Sequence, residues 1–231
     1  MKHKLVVFDW NSTLIADTKA AWLASNACLE FYGGKAITLE RFRETFTFPV
    51  IHFYTLNGVS ADTVLRDKDG GNVVFQGTYE RLAARARTRT GARELLDWLT
   101  GEGYSVTILS NYLTDKINGH LTRLKIGHYF HHVCAHNCDG TTILQSTSKA
   151  QRLSDFMLKR NYKPADCVII GDTMEEPEIA RSLGLRSIGI TDGCISRTRL
   201  AKAEPDHVVH SLSEVKNLLA APRRNATKLG L

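Results

Sequence analysis

Three short β-branched runs limit what this chain can fold into: Leu5-Val6-Val7-Phe8, Val106-Thr107-Ile108-Leu109 and Val168-Ile169-Ile170. Each is too short for a buried helix and reads as a buried strand. The stretches between them carry helical spacing, and strands alternating with helices imply right-handed βαβ units and a parallel sheet. Each run stops at polar residues: Asp9-Trp10-Asn11-Ser12-Thr13, Ser110-Asn111, and Gly171-Asp172-Thr173. In an open α/β sheet, ligands bind at the carboxyl ends of the strands. The expected fold is therefore α/β, a Rossmann-like parallel sheet flanked by helices, with polar groups from distant segments gathered along one edge.

The segment between the first strand and the rest departs from this alternation. Residues 16–89 read as helical throughout. Asp17–Tyr32 is amphipathic and stops at Gly33-Gly34, and Thr38 offers an N-cap to a helix through Arg43 and Phe46. Ile51–Leu56 is a further short helix, Gly70-Gly71 marks a turn, and Tyr79–Arg87 is an Ala- and Arg-rich helix. We expect residues 1–15 and 90–231 to form the core and 16–89 a small all-helical cap inserted into it. After residue 90, strands are expected over 104–109, 129–133, 166–170, 186–190 and 206–209, with a closing helix over Leu212–Leu219.

The 231 residues can bury a large core. The net charge is +6, but no dense Lys/Arg run interleaves with aromatics, so nucleic acid is not an expected partner. No apolar run approaches the ~20 residues of a membrane span, and the run after Lys4 is too short for a signal peptide. Five cysteines, an odd number, suggest reduced thiols and a cytoplasmic protein. The sequence is silent on oligomeric state.

Asp9, Ser110-Asn111, Lys149 at a helix start, and Asp172 with Glu175 and Glu176 after it resemble, in order and spacing, the four motifs of the haloacid dehalogenase-like (HAD) superfamily. The chain is similar to its phosphoglycolate phosphatase-like group, which carries a helical cap after the first motif. Taken singly, Asp9 could be a capping acceptor, Ser110 a turn residue and Lys149 a solvated lysine; the coincidence of all four carries the resemblance. It implies an aspartyl-phosphate mechanism with Asp9 as nucleophile, and Mg²⁺ held by Asp9, the backbone carbonyl of Asn11 and Asp172, with Glu176 assisting. It also implies that Ser110, Asn111 and Thr13 bind phosphate and that Lys149 bridges phosphate and Asp9. Those residue types suit the chemistry, because phosphoryl transfer needs an in-line nucleophile and compensation of charge on the phosphoryl oxygens.

The pattern breaks at Asn11 and Ser12. The family's first motif reads Asp-x-Asp-Gly-Thr, and its second carboxylate handles the proton of the leaving oxygen and then of water. An amide has no titratable proton. The expected activity is therefore a Mg²⁺-dependent phosphatase of a small phosphorylated metabolite, slowed at this step. A phospho-ligand or protein-binding module with a weakened site is one alternative. Phosphonoacetaldehyde hydrolase-like C–P cleavage is another, because that family also lacks the second acid and has Trp after its nucleophile. It uses a cap lysine about forty residues on, where this chain has Phe48–Phe53; Lys35 and Lys68 lie outside that neighbourhood. Among cap residues, His52 is the candidate to meet the substrate's other end. His131, His132, Cys134, His136 and Cys138 have zinc-ligand chemistry, but their spacing matches no known finger.

Overall fold

The computed structural model describes residues 5–137 and 148–220. Six strands lie parallel: β1 (Leu5–Phe8), β2 (Ser105–Leu113), β3 (His132–His136), β4 (Cys167–Gly171), β5 (Arg186–Ile190) and β6 (His207–Val209), in the order β3-β2-β1-β4-β5-β6. The strand β1 is central and buried along its whole length, which is why it carries no alternation. Its even residues, Val6 and Phe8, pack with helices α6 (Ala92–Gly101), α7 (Thr114–Leu124) and α11 (Leu212–Ala220) through Leu95, Leu96, Ile117, Leu121 and Val215. Its odd residues, Leu5 and Val7, pack on the other face against α8 (Lys149–Lys159) and α9 (Glu175–Leu183) through Leu153, Met157 and Ile179.

The chain leaves β1 toward β2 and β3, then returns to the other side of β1 to lay down β4, β5 and β6. The order thus reverses between β1 and β4, the point at which α/β sheets open a binding crevice. Phe8 is level with both Ile108 and Ile170. Asp9, one residue further, donates its amide to the Ile170 carbonyl at 2.8 Å and stands at the mouth of that crevice.

Between β1 and α6 come five helices: α1 (Thr18–Phe31), α2 (Leu39–Thr45), α3 (Val50–Leu56), α4 (Ala61–Arg66) and α5 (Lys68–Ala83). They enclose their own apolar cluster of Cys28, Leu29, Phe42, Phe53, Tyr54 and Val64. The two connections to the core pair with each other. Ala16 N donates to Arg87 O and Arg89 N to Leu14 O, each at 2.8 Å, around an antiparallel bridge between Ile15 and Thr88.

Two local expectations differ from the structure, and one helix is additional. Gly70-Gly71 lies inside α5 rather than at a turn, so that helix begins at Lys68, eleven residues earlier than Tyr79. The strand expected at Tyr129 begins at His132, after a 3₁₀ turn over Gly127–Tyr129. A short helix, α10 (Arg197–Lys202), follows the Ser196 N-cap, whose hydroxyl accepts from Arg199 N. No helix among the described residues is long and apolar enough to cross a membrane.

Candidate active site

Asp9 leaves the end of β1 almost fully buried. Burial alone would drive its carboxyl toward the neutral form, and Lys149 opposes this. The Ser148 hydroxyl caps α8 by accepting from Gln151 N, which sets Lys149 on the first turn. Its ammonium donates to Asp9 Oδ1 at 2.7 Å and to Glu176 Oε1 at 2.6 Å, with Glu175 Oε2 3.7 Å away. Burial works against the lysine's charge, but the attraction of Asp9, Glu176 and Glu175 outweighs it and holds Lys149 charged well above its usual range.

Asp172 follows β4 and accepts from Thr13 Oγ1 at 2.9 Å and from Cys194 N at 2.7 Å. Burial pushes its carboxyl up to about 6, the Cys194 amide opposing. A Cβ on Gly193 would strike the Asp172 carboxylate, so this position needs glycine for close approach. From β2, Ser110 is buried and its carbonyl accepts from Arg152 Nη2 at 2.9 Å. The same guanidinium nitrogen donates to Asn111 Oδ1 at 3.1 Å, while Asn111 Nδ2 donates to Glu175 at 2.9 Å. Asp9, Asn11, Ser110, Asn111, Lys149 and Asp172 all line one cavity of ≈ 150 Å³ between the sheet edge and the helical insertion.

The loop after Asp9 is built around Asp17. This buried carboxylate accepts from Asn11 Nδ2 at 2.8 Å, Ser12 N at 2.6 Å and Ser12 Oγ at 3.1 Å, and also from the Tyr79 hydroxyl. Asn11 Nδ2 donates as well to Tyr79 Oη at 2.8 Å. Ser12 sits at φ 56°, a left-handed conformation costly for any residue but glycine, and Asp17 holds it there. Arg89 clasps the same loop from outside, donating to Ser12 O at 2.6 Å and Thr191 O at 2.8 Å.

The sequence pattern of haloacid dehalogenase-like hydrolases matches residues 6–190. The chain belongs to that family. A Pseudomonas aeruginosa protein named phosphoglycolate phosphatase 1 is 20% identical over 216 residues, covering 92% of this chain and 78% of its own. The phosphoglycolate phosphatase of Synechococcus elongatus is 30% identical over 125 residues, 54% of this chain and 56% of that one. Among solved structures, a haloacid dehalogenase-like family hydrolase from Streptococcus pneumoniae superposes with a TM-score of 0.77 at 18% identity, covering 94% of this chain and 98% of its own.

In this haloacid dehalogenase-like hydrolase, most of the expected site residues converge, but three occupy other positions. Thr13 is fully buried and spends its hydroxyl on Asp172, so it positions that carboxylate instead of lining the cavity. Glu176 is also fully buried; one oxygen meets Lys149 and the other accepts from Thr173 Oγ1 at 2.8 Å. Both its oxygens are therefore committed to the lysine and the loop. His52 is exposed, because α3 turns Val50 and Tyr54 toward the cavity, and a residue midway between them faces away. Lys68, remote by sequence spacing, lines the cavity, whereas Lys35 is exposed.

The oxygens facing the cavity fit Mg²⁺. Asp9 and Asp172 are buried acids on its wall, beside the Asn11 backbone, and Mg²⁺ takes one or two carboxylates with water and substrate phosphate. Among the described residues no group of three His, Cys, Asp or Glu side chains could hold a metal. That includes β3, where His132 stacks flat on Phe156 and His136 Nε2 lies 3.2 Å from Arg152; Cys138 lies outside the described residues. Asp17, Tyr79, Arg89 and Arg152 were not legible as site residues. Only Arg152 left a signal, three residues after Lys149 on the same helix face.

Proposed function

We propose that this hydrolase is a Mg²⁺-dependent phosphatase of a small phosphorylated metabolite, with Asp9 as nucleophile. The observation that carries the reading is the Asp9 carboxylate at the cavity floor, fixed 2.7 Å from Lys149 with Asp172 and Ser110 on the same wall. An Asp9 oxygen attacks phosphorus in line, the P–O bond to the organic alcohol breaks, and water later cleaves the aspartyl-phosphate. Lys149 balances charge on the phosphoryl oxygens, and Glu176 holds Lys149 in place. The Ser110 hydroxyl and Asn111 amide donate to those oxygens, where losing one preorganised donor costs about 2.7–4 kcal/mol. Mg²⁺, when bound, would be held by Asp9, Asp172 and the Asn11 carbonyl and would draw charge from the transferring group.

The names of the similar curated proteins support the monoester class. The departing alkoxide cannot take its proton from position 11, since the Asn11 amide has none to give. General acid–base help is worth about 10²–10⁴-fold, and its lack makes this a slow enzyme or one for good leaving groups. The grip of Asp17 and Tyr79 on the Asn11 amide favours one second reading, phospho-ligand binding with little turnover. The helical insertion acts as the cap whose closure excludes water. A cytoplasmic setting suits its buried free thiols.

The test is hydrolysis of p-nitrophenyl phosphate with and without Mg²⁺, in the native protein and Asp9→Asn. Mg²⁺-dependent turnover that Asp9→Asn abolishes supports the reading. Turnover unchanged in Asp9→Asn places the nucleophile elsewhere, and tight vanadate binding without turnover selects the second reading.

A further inference from the structure

The wall opposite Asp9 is a stripe of α5. Lys68, Gly71, Asn72, Phe75, Gln76 and Tyr79 line the cavity at i, i+3, i+4, i+7, i+8 and i+11, a single helix face. It runs from Tyr79, bonded to the Asn11 side chain, to Lys68 three turns and about 16 Å away along the axis. Facing it from the other insertion helices and their connections are Phe46, Phe48, Val50, Tyr54 and Val64. Phe75 lines the cavity with its ring stacked on Tyr79 at an interplanar angle of 5°.

The charges on this cavity are unevenly placed. Among the described residues lining it, the cations are Lys149 and Lys68. Lys149 is spent on Asp9 and Glu176 at the phosphoryl end. A two-carbon acid such as glycolate holds its carboxylate next to the phosphate, where the described lining offers no cation beyond Lys149. A buried carboxylate without a partner is strongly disfavoured. A ring, by contrast, gains by burying its apolar area against this surface.

We propose that the site selects a phosphomonoester with an apolar, ring-sized body, seated on Phe75, and an acidic group at the far end that pairs with Lys68. This rests on the phosphatase reading above, since it places the phosphoryl group at Asp9. Specificity then lies in the α5 stripe, and the phosphoglycolate-type substrate is rejected for want of a second cation near the phosphate.

The experiment compares kcat/KM for phosphoglycolate, benzyl phosphate and 4-(carboxymethyl)benzyl phosphate, all with alkoxide leaving groups, in the native protein, Phe75→Ala, Phe75→Leu and Lys68→Gln. The expected result is at least a ten-fold preference for benzyl phosphate over phosphoglycolate and a further five-fold gain for the carboxymethyl compound. Phe75→Ala should cut turnover of both ring compounds about ten-fold more than that of phosphoglycolate; Phe75→Leu, which keeps the apolar volume, should fall between. Lys68→Gln should remove only the carboxymethyl gain. Equal or better use of phosphoglycolate, or equal loss on all three compounds in folded Phe75→Leu, overturns the inference while leaving the phosphatase reading intact. If no compound is turned over, the phosphatase reading fails by itself. Dissociation constants for the same three compounds, measured by calorimetry on the same variants, then decide the inference by the same ratios.

Discussion

Asn11 is held in place by what surrounds it. Its amide donates to Asp17 at 2.8 Å, so a carboxylate at position 11 would put two acids within hydrogen-bonding distance. One of them must then keep a proton, which raises a folded-state pKa. A raised folded pKa favours the folded state at low pH, so Asn11→Asp should cost more stability at pH 8 than at pH 5. We expect a loss of about 1–3 kcal/mol at the higher pH, measured by chemical denaturation. The double variant Asn11→Asp/Asp17→Asn restores one acid and one amide in exchanged positions; it should recover the stability and raise kcat for p-nitrophenyl phosphate. A single Asn11→Asp as stable at pH 8 as at pH 5 would contradict the pairing. From the sequence, Asp17 reads only as a helix start. Its role depends on Tyr79, sixty-two residues away in the chain, and no local pattern reports such a partner.

At the scale of elements, α5 shows where local propensity misleads. Two adjacent glycines disfavour a helix by about 1 kcal/mol each relative to alanine, hence the expected turn. The helix persists because the Tyr32 hydroxyl occupies the space a side chain at Gly71 would need, and Asp67 caps the helix by accepting from Gly70 N at 3.1 Å. Gly71→Ala should therefore destabilise the protein. Gly77→Ala, on the same helix with nothing within 4 Å of the new methyl, should stabilise it by about 0.5–1 kcal/mol. Urea midpoints of the two variants test this, and equal shifts of one sign would refute it. The contact between β3 and α8 makes a pH prediction. Burial and then Arg152 hold His136 down to about 4, whereas a histidine in the unfolded chain titrates near ~6.5. The unfolded state thus takes up the proton first on acidification. This contribution to stability is complete above about pH 6.5 and is lost as pH falls through about 4. His136→Gln should flatten that part of the stability–pH curve. The strand containing His136 was only partly legible, because polar histidines hide the apolar alternation of a sheet edge.

For the whole molecule, the sheet was legible as parallel because β-branched runs alternate with amphipathic helices. The strand order was not, since it depends on which side of β1 each crossover returns to. The site inherits both features: its members lie at positions 9, 110, 149 and 172, yet share one cavity because β1 sits between β2 and β4. Burial across both faces of the sheet and in the insertion also encloses Cys28, Cys134, Cys167 and Cys194. Burial pushes the Cys28 and Cys134 thiols up to about 11 and Cys167 to about 12. These thiols should resist Ellman's reagent at pH 8 until denaturant is added, because only thiolate reacts; rapid native labelling of any of the four, mapped by mass spectrometry, would show otherwise.

The pairing of residues 14–16 with 87–89 has an evolutionary consequence. The insertion leaves and re-enters the core across a single short ladder, so to the core it is a hairpin loop that happens to contain five helices. Such a unit can be exchanged whole, with no crossover rebuilt and no strand reordered. Any exchanged unit must bring two groups with it, a carboxylate where Asp17 stands and a hydroxyl where Tyr79 stands, because the loop behind the nucleophile is fastened to the guest as well as to the host.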